Sequence, residues 1–456
     1  MRNETNRRTF LKGAGAALGG LALPTAVSAE SADKRYLVDL ESADEGVLDG
    51  VDVVHDLSQI DLAVVEAEKA QVEGEAFSKD VEMEFDFAET EDNGNGDEPG
   101  PHKLSQLQWD KQDQGVSGVH GTTRGEGTRV AVLDSGAIPN HPDLSGPLNT
   151  DLSQNFTGDG GDFTPWYNDH GTHVAGIIAG DDQNDDGVVG TAPGTELVAL
   201  RVFTGPFAFF GDIIAAMTYA GDIEADVANM SLGSYPLPNN EENRLLKESV
   251  ERATDYAASQ GTLMVSAAGN DGKNLDEDGD VLNLPSEADN VMSVSATGPV
   301  GYRWDDKGNG KFIRNYHAAF NKLDEEPTDP APYTNYGSEA IDISAQGGNY
   351  DTEAKGGDEN WQYDMVLSTV FEWDDNDNMV PDYGWKAGTS MAAPQVAGAA
   401  ALVKSENPRY NANQVESALE SAAEVPEGYD KAYYGSGFLD VVGALGGTGK
   451  GRGKGK

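Results

Sequence analysis

Cysteine is absent from all 456 residues, so disulfides, thiolate nucleophiles and cysteine-ligated zinc are excluded. Positive charge is scarce: 31 Lys and Arg stand against 79 Asp and Glu, a formal net charge of −48. Such an excess repels nucleic acid and anionic membrane, so neither is an expected partner. It also sets the compact chain against itself. In molar salt the Debye length falls to about 3 Å and most of that repulsion is screened. The composition therefore reads as that of a protein from a salt-saturated setting, with an acidic calcium-sequestering protein as the alternative. Long apolar runs are missing too. The one candidate, a Gly/Ala/Leu segment broken by Pro24, is too short and too glycine-rich to span a bilayer. Arg7-Arg8 precede it and Val27-Ser28-Ala29 follow, so residues 1–29 are read as a twin-arginine export signal cut after Ala29. The mature protein is expected to be secreted, without a membrane anchor and as a monomer.

What is present is enough for a sizeable core, with 38% hydrophobic residues and 56 glycines. Residues 30–91 are acidic and short in period. "KRYLVDL" and "DVEMEFDF" alternate like edge strands, and "SQIDLAVVEAEKAQ" between them reads as a helix, giving a small α+β domain. Residues 92–103, within "TEDNGNGDEPGPHK", gather Gly, Pro, Asn and acid into a linker. From 104 to 445 the texture changes. "TRVAVLD", "ELVALRV", "DVANMSL", "TLMVSAAGN", "NVMSVSA" and "AIDISA" are β-rich runs. "GDIIAAMTYA", "ENRLLKESVERATDYAASQ" and the alanine-rich stretch after Ser390 are helical. This alternation predicts an α/β, three-layer fold whose mainly parallel central sheet is flanked by helices. Chemistry in such sheets collects beyond the carboxyl ends of the strands, where Asp134 and Asn270 fall. Residues 446–456 form a basic Gly/Lys tail, expected to be disordered.

"WKAGTSMAAPQVAGAAALVKSEN" sets Gly-Thr-Ser at the mouth of a helix, with Pro394 four residues on. Proline belongs in a first turn, so the helix is expected to begin near Ser390, where N–H groups and the positive dipole end point outward. That place suits a nucleophilic oxygen or a neighbouring oxyanion; a plain N-cap serine fits the stretch alone equally. Among the seven histidines, "NDHGTHVAGIIAG" alone sets two, His170 and His173, at the start of an apolar helix. Zinc is disfavoured there, because no Glu lies between them and no cysteine exists. The small residues Gly171, Ala175 and Gly176 instead suggest a helix packed very closely against something.

"VAVLDSG" with Asp134, "HGTHVAG" with His170 and "GTSMAAP" with Ser390, in that order on a parallel α/β chain, closely resemble the subtilase (subtilisin-like) serine protease family. The resemblance extends over residues 104 to 445. "SAAGN", "NMSLG" and "YGSGFLDV" belong to it, and the segment before the linker resembles the family's propeptide more weakly. It implies a secreted serine endopeptidase made as a self-processing zymogen, acting on protein or peptide substrates. Asp134, His170 and Ser390 would form the triad and Asn270 would be the oxyanion donor. Its own propeptide would be a partner, released by a cut near Asp92 to Lys103. Two departures stand out: Gln395 where the family usually has His after the helix proline, and long acidic insertions, among them "GKNLDEDGD". His170 argues against the related serine-carboxyl peptidases, which use an acid as base. A dead, calcium-loaded scaffold is the rival from another class, and it has no use for all four residues.

By the same resemblance Ser231, Leu232 and Gly233 would form one wall of the primary specificity pocket and Ala267, Ala268 and Gly269 the other. Small and apolar, with no acid among them, they imply large apolar or aromatic residues before the cut. Phe207, Phe209 and Phe210 are a further greasy subsite or buried core. Asp143 and Asn184, with backbone carbonyls of "DDQNDDGVVG", match positions where family members bind calcium; hard oxygens on a tight loop suit that ion, and no catalytic cofactor is implied.

Overall fold

The computed structural model describes residues 34–447 except 45, 73–75, 85–88, 93–103, 184–186, 304–322, 352–353 and 355–360. The export signal and the basic tail expected at the two ends lie outside the described residues, as does most of the expected linker.

The N-terminal region is an antiparallel sheet of β1 (Arg35–Asp39), β2 (Asp52–Leu57), β3 (Leu62–Glu66) and β4 (Phe77–Lys79), in the order β2-β3-β1-β4. The helix expected over residues 58–71 is not formed. That stretch is β3 flanked by two 3-10 turns, Ser58–Ile60 and Lys69–Gln71. The apolar run Leu62-Ala63-Val64-Val65 is buried throughout because it serves two faces in alternation. Leu62 and Val64 join the core of the main body, while Ala63 and Val65 pack with Val38, Ala67 and Val72 in a small outer cluster. Period two satisfies both faces at once; a helix would not.

Two further strands tie this region to the rest of the chain. β5 (Glu82–Glu84) and β6 (Glu89–Asp92) each leave the small sheet and pair elsewhere. A buried charge cluster adds to the docking. Arg35 sits between Asp80 (3.1 Å) and Asp212 (2.6 Å), and His55 Nε2 lies 2.8 Å from the same Asp212 oxygen. The other oxygen of Asp80 accepts the Gly211 N–H. Burial pushes the Asp80 carboxyl up to about 6 in spite of Arg35.

The main body alternates strands and helices as expected. In chain order it comprises β7 (Arg129–Asp134), β8 (Gln154–Asn155), β9 (Glu196–Arg201), the short β10 (Phe203–Thr204) and β11 (Phe207–Phe209), and β12 (Val227–Met230). Then follow β13 (Ser234–Pro238), β14 (Leu263–Ala267), β15 (Val281–Leu284), β16 (Val291–Thr297), β17 (Ile343–Gln346), β18 (Val366–Trp373) and β19 (Met379–Ala387). Seven of these form one parallel sheet in the order β17-β16-β14-β12-β7-β9-β8. The helices that matter here are α1 (Trp109–Gln114), α2 (His170–Ala179), α3 (Phe210–Asp222), α4 (Arg244–Gln260), α5 (Thr389–Glu406) and α6 (Ala412–Ala422).

Strand periodicity divides the core. Val130 and Val132 of β7 point into the cluster that holds α2 and α5, while Ala131 and Leu133 point into the one that holds α3 and α4. Helices thus cover both faces, as a parallel sheet requires. The closing segment returns to the sheet edge, where Gly435 and Phe438 bridge to Ile343 and Ser344 of β17.

Gln395 is fully buried at a polar knot between α5 and α1. Its amide donates to Asp110 (2.8 Å), and its oxygen accepts from Lys111, from Gln114 (2.8 Å) and from Thr191 (3.1 Å). Desolvation lowers the Lys111 ammonium to about 8, and three acceptors, Ile177 O, Thr191 Oγ1 and Gln395 Oε1, surround it. A glutamine supplies both an acceptor for the lysine and a donor for the aspartate, which a neutral imidazole at this place does only in one tautomer.

The acidic composition has local costs. α6 starts with a reciprocal capping box, Asn411 with Gln414. Yet it carries Glu416, which burial, Glu420 and Asp342 push up to about 7. The proton is then held more tightly in the folded chain than in the unfolded one, so this carboxyl favours folding below about pH 4.5 and loses that contribution as pH rises through 7. Glu416→Gln should therefore raise Tm at pH 8 by a few degrees, about 1 kcal/mol after solvent screening, with the gain vanishing by pH 5. Thermal melts of the two proteins across that range check it.

Candidate active site

β7 ends on Asp134, fully buried at the carboxyl edge of the sheet. α2 begins on His170, and its Nδ1 lies 2.9 and 3.0 Å from the two Asp134 oxygens. A carboxylate only accepts, so Nδ1 carries the proton and Nε2 is left as the basic nitrogen. This contact depends on small residues. A Cβ on Gly171 would meet the Gly136 carbonyl oxygen at 2.3 Å, and one on Gly176 would meet Thr369 Oγ1 at 2.3 Å. The helix can thus lie against the end of β7 and the hairpin β18–β19 together. His173, one turn along, is buried and donates from Nε2 to the Val366 and Gly384 carbonyls at 3.1 and 3.2 Å. Burial, then Lys386 and His170, hold its pKa well below the usual histidine range, so it is a neutral strut between helix and hairpin.

α5 starts at Thr389, and Pro394 stands in its second turn, not in the first as the sequence suggested. The proline removes the N–H that would bond the Ser390 carbonyl. Ser231 replaces it: its hydroxyl donates to Ser390 O at 2.8 Å, and the Ser390 hydroxyl donates back to Ser231 O at 3.2 Å. The serine is therefore held at the helix mouth by a reciprocal pair with the residue just past β12.

Asn270, just past β14, is fixed through its oxygen. Oδ1 accepts both the N–H and the hydroxyl of Thr389, each at 3.0 Å. The Thr389 hydroxyl in turn accepts the Gly269 N–H at 3.1 Å. Gly269 has φ +97°, and a Cβ there would strike Asn335 Nδ2 at 2.5 Å, so only glycine fits this turn. With Oδ1 committed, the Asn270 amide nitrogen faces the other way, on the side of the cleft. Thr389 and Asn335 were not singled out from the sequence. Thr389 lies within the Gly-Thr-Ser stretch itself and could have been read as a polar partner; nothing local marks Asn335.

A cavity of about 340 Å³ opens at Ser390 and Asn270. Ser231, Leu232, Gly233, Ala267 and Gly269 line it as expected. Ala268 does not. It is buried, and its carbonyl accepts the side-chain amides of Asn283 and Asn335 at 2.7 and 2.9 Å. The alternation of the strand turns its neighbour to the cavity and Ala268 away. Asn283 on β15 and the acid Asp271 also border the space, so it is less uniformly apolar than the six predicted residues implied. Met83 and Glu84 of β5 reach its edge. Of the three phenylalanines, Phe209 and Phe210 are core, whereas Phe207 is 38% exposed.

Asp143 is fully buried and accepts the Val188 N–H at 2.9 Å, with the Gly187 backbone against its carboxylate. Asn184 lies outside the described residues. Among the described residues no group of three or more His, Asp or Glu is placed to hold a metal. No helix among them is long and apolar enough to cross a membrane.

The model of the subtilase family matches residues 125–437, which contain every one of these site residues from Asp134 on. The chain belongs to the subtilase family. Subtilisin BL of Lederbergia lenta is 32% identical over 323 residues, covering 70% of this chain and 91% of that protein. A solved lanthipeptide protease is 29% identical with a TM-score of 0.59, covering 75% of this subtilase and 95% of that chain. The epidermin leader peptide-processing serine protease of Staphylococcus aureus shares the fold at TM-score 0.69 and 20% identity, over 91% of this chain and 98% of that one. This subtilase is accordingly a serine endopeptidase, a hydrolase of protein or peptide substrates.

Because the N–H and hydroxyl of Thr389 both hold the Asn270 oxygen, Thr389→Val should lower kcat about 10-fold, the scale of one neutral hydrogen bond, and leave KM within about twofold. Steady-state kinetics on a peptide anilide check it; an unchanged kcat would mean that the backbone N–H suffices.

Proposed function

We propose that this subtilase is an exported, salt-adapted, self-processing endopeptidase that works through Asp134, His170 and Ser390. The observation that carries the reading is the buried Asp134–His170 pair, which leaves Nε2 as the basic nitrogen; in support, Ser390 is seated at the mouth of α5 and borders the cavity. Turning about its Cα–Cβ bond, the Ser390 hydroxyl leaves Ser231 O and gives its proton to His170 Nε2 as Oγ attacks the peptide carbonyl. Asp134 holds the tautomer and offsets the imidazolium charge. The oxyanion is met by the Asn270 amide and the Ser390 backbone N–H at the positive end of α5. His170 then passes the proton to the leaving amine, and water, activated by the same ring, hydrolyses the ester and restores Ser390.

The N-terminal sheet is proposed to be the inhibitory propeptide. β5 pairs antiparallel with β11, Glu84 opposite Phe207, on one side of the cleft. β6 pairs antiparallel with β19, Glu89 opposite Ala387, three residues before Ser390. We place the first cut between these two strands rather than at residues 92–103. Export is supported by Arg7-Arg8 and the short apolar run, and salt adaptation by the net charge of −48. Calcium is proposed to be structural: Asp143, Asn184 and loop carbonyls would supply hard oxygens, of which the buried Asp143 carboxylate, also accepting the Val188 N–H, is the described member. Its chemistry there would be to brace the loop.

Ser390→Ala should accumulate as full-length precursor, while the unaltered chain in molar salt should yield a mature N-terminus between residues 85 and 89 by mass spectrometry. A mature-sized Ser390→Ala product, made without added protease, would refute self-processing. The mostly apolar pocket should favour Phe or Leu before the cut over Arg and Glu by at least 10-fold in kcat/KM, with Asp271 making Arg the better of the last two. Arg outrunning Phe on matched chromogenic peptides would overturn that preference.

A further inference from the structure

Asp169 occupies the N-cap position of α2, directly before His170, yet its side chain makes no capping bond. Asn168 takes over that work, accepting the His170 N–H at 3.0 Å. Asp169 is turned instead to Lys386, with Oδ1 2.9 Å from Nζ. The lysine side chain is only 4% exposed and the aspartate 15%, so water screens the pair little. An ammonium so deeply placed stays charged only with a partner, and a carboxylate diverted from the cap of its own helix is an unusual partner to choose.

The two residues sit on the two elements that matter. Asp169 adjoins the base in sequence. Lys386 lies on β19 four residues before Ser390, paired through its backbone with Val366 and Thr90. We infer that Lys386 and Asp169 form a positioning pair that locks the strand delivering Ser390 onto the helix delivering His170. The rest of the seam between α2 and the hairpin consists of neutral bonds: His173 to two carbonyls, Ser368 Oγ to His173 O at 2.7 Å, and Thr369 Oγ1 to Thr172 O at 2.6 Å. The ion pair ties the residue just before His170 to the hairpin.

The pair also balances charge around the base. The charged and titratable groups at the start of α2 are Asp134, which holds the His170 ring, Asp169 just before it, His173 one turn along, and Lys386, which pairs with Asp169 and acts on His173. β6, the strand next to Lys386, lies after the cut proposed above and stays with the processed enzyme, which is the form to measure. Removing Lys386 alone leaves an unmatched carboxylate beside His170, which favours the imidazolium. Removing Asp169 alone leaves an unmatched ammonium, which disfavours it.

This inference rests on the triad assigned above, and labelling by an organophosphonate separates the two. If the unaltered enzyme is not labelled at Ser390, the triad reading fails. If it is labelled and Lys386→Met reacts at the same rate, the positioning pair fails. For Lys386→Met we expect labelling and kcat to fall 10- to 100-fold, with KM within about threefold. The acidic limb of kcat/KM should move to higher pH by about half a unit or more. Asp169→Asn should move that limb to lower pH. The double variant Asp169→Asn/Lys386→Met removes both charges and avoids an unpaired buried one, so it should fold, return the limb to its original place and keep the reduced kcat. Lys386→Arg should recover more activity than Lys386→Met. Limbs that stay fixed in both single variants would overturn the proposal. So would a loss confined to KM for peptides with acidic residues after the cut, which would make Lys386 a substrate contact.

Discussion

The arrangement depends on how closely one short helix can approach a strand end. His170 reaches Asp134 only because Gly171 and Gly176 have no side chain to hold α2 away from Gly136 and Thr369. A methyl at Gly171 would press on the Gly136 backbone and one at Gly176 on the Thr369 and Ser368 hydroxyls, so the helix or its neighbours would have to give. The close approach then recruits the rest. The neutral His173 finds two carbonyls of the hairpin, two hairpin hydroxyls find carbonyls of the helix, and β19 is set so that Ser390 follows at a fixed distance along the chain. Packing at two glycines thus contributes, with the polar bonds of the seam, to where His170 stands.

A second constraint is the exchange of hydrogen-bonding partners at the mouth of α5. Pro394 deprives the Ser390 carbonyl of its helical donor, and Ser231 from another strand supplies one. Thr389 performs the equivalent service for Asn270. In both cases a polar group at the site is satisfied by a hydroxyl from a distant part of the chain.

Most of the main body was legible in the sequence because parallel strands buried on both faces give short β-rich runs, and the helices between them keep their own period. "VAVLD" and "DVANM" stand where they were read. Asp134, His170 and Ser390 were singled out because the short stretches around them resemble those of the family. What failed has physical causes. "LAVV" was read as helical because four apolar residues in a row carry no period of their own; only the presence of two different cores, one on each face, makes it a strand. Ala268 was counted as a pocket wall because the stretch was read as a block, whereas a strand end alternates. Asn283 and Asn335 follow acidic insertions whose path sequence cannot give, and they enter the site from the side. Lys386 is invisible in one dimension, since its partner is more than two hundred residues earlier in the chain.

On the propeptide reading proposed above, the two strands β5 and β6 have a consequence beyond latency. Each completes an edge, of β11 and of β19, whose N–H and C=O groups would otherwise be open. Any chain that takes their place must offer a stretch of free backbone on both sides of the bond to be cut, and a natively folded protein has none to spare. Turnover of a protein by this enzyme is therefore governed by how often that protein opens locally, and salt conditions that loosen a neighbour's fold mark it for destruction without any change in the protease.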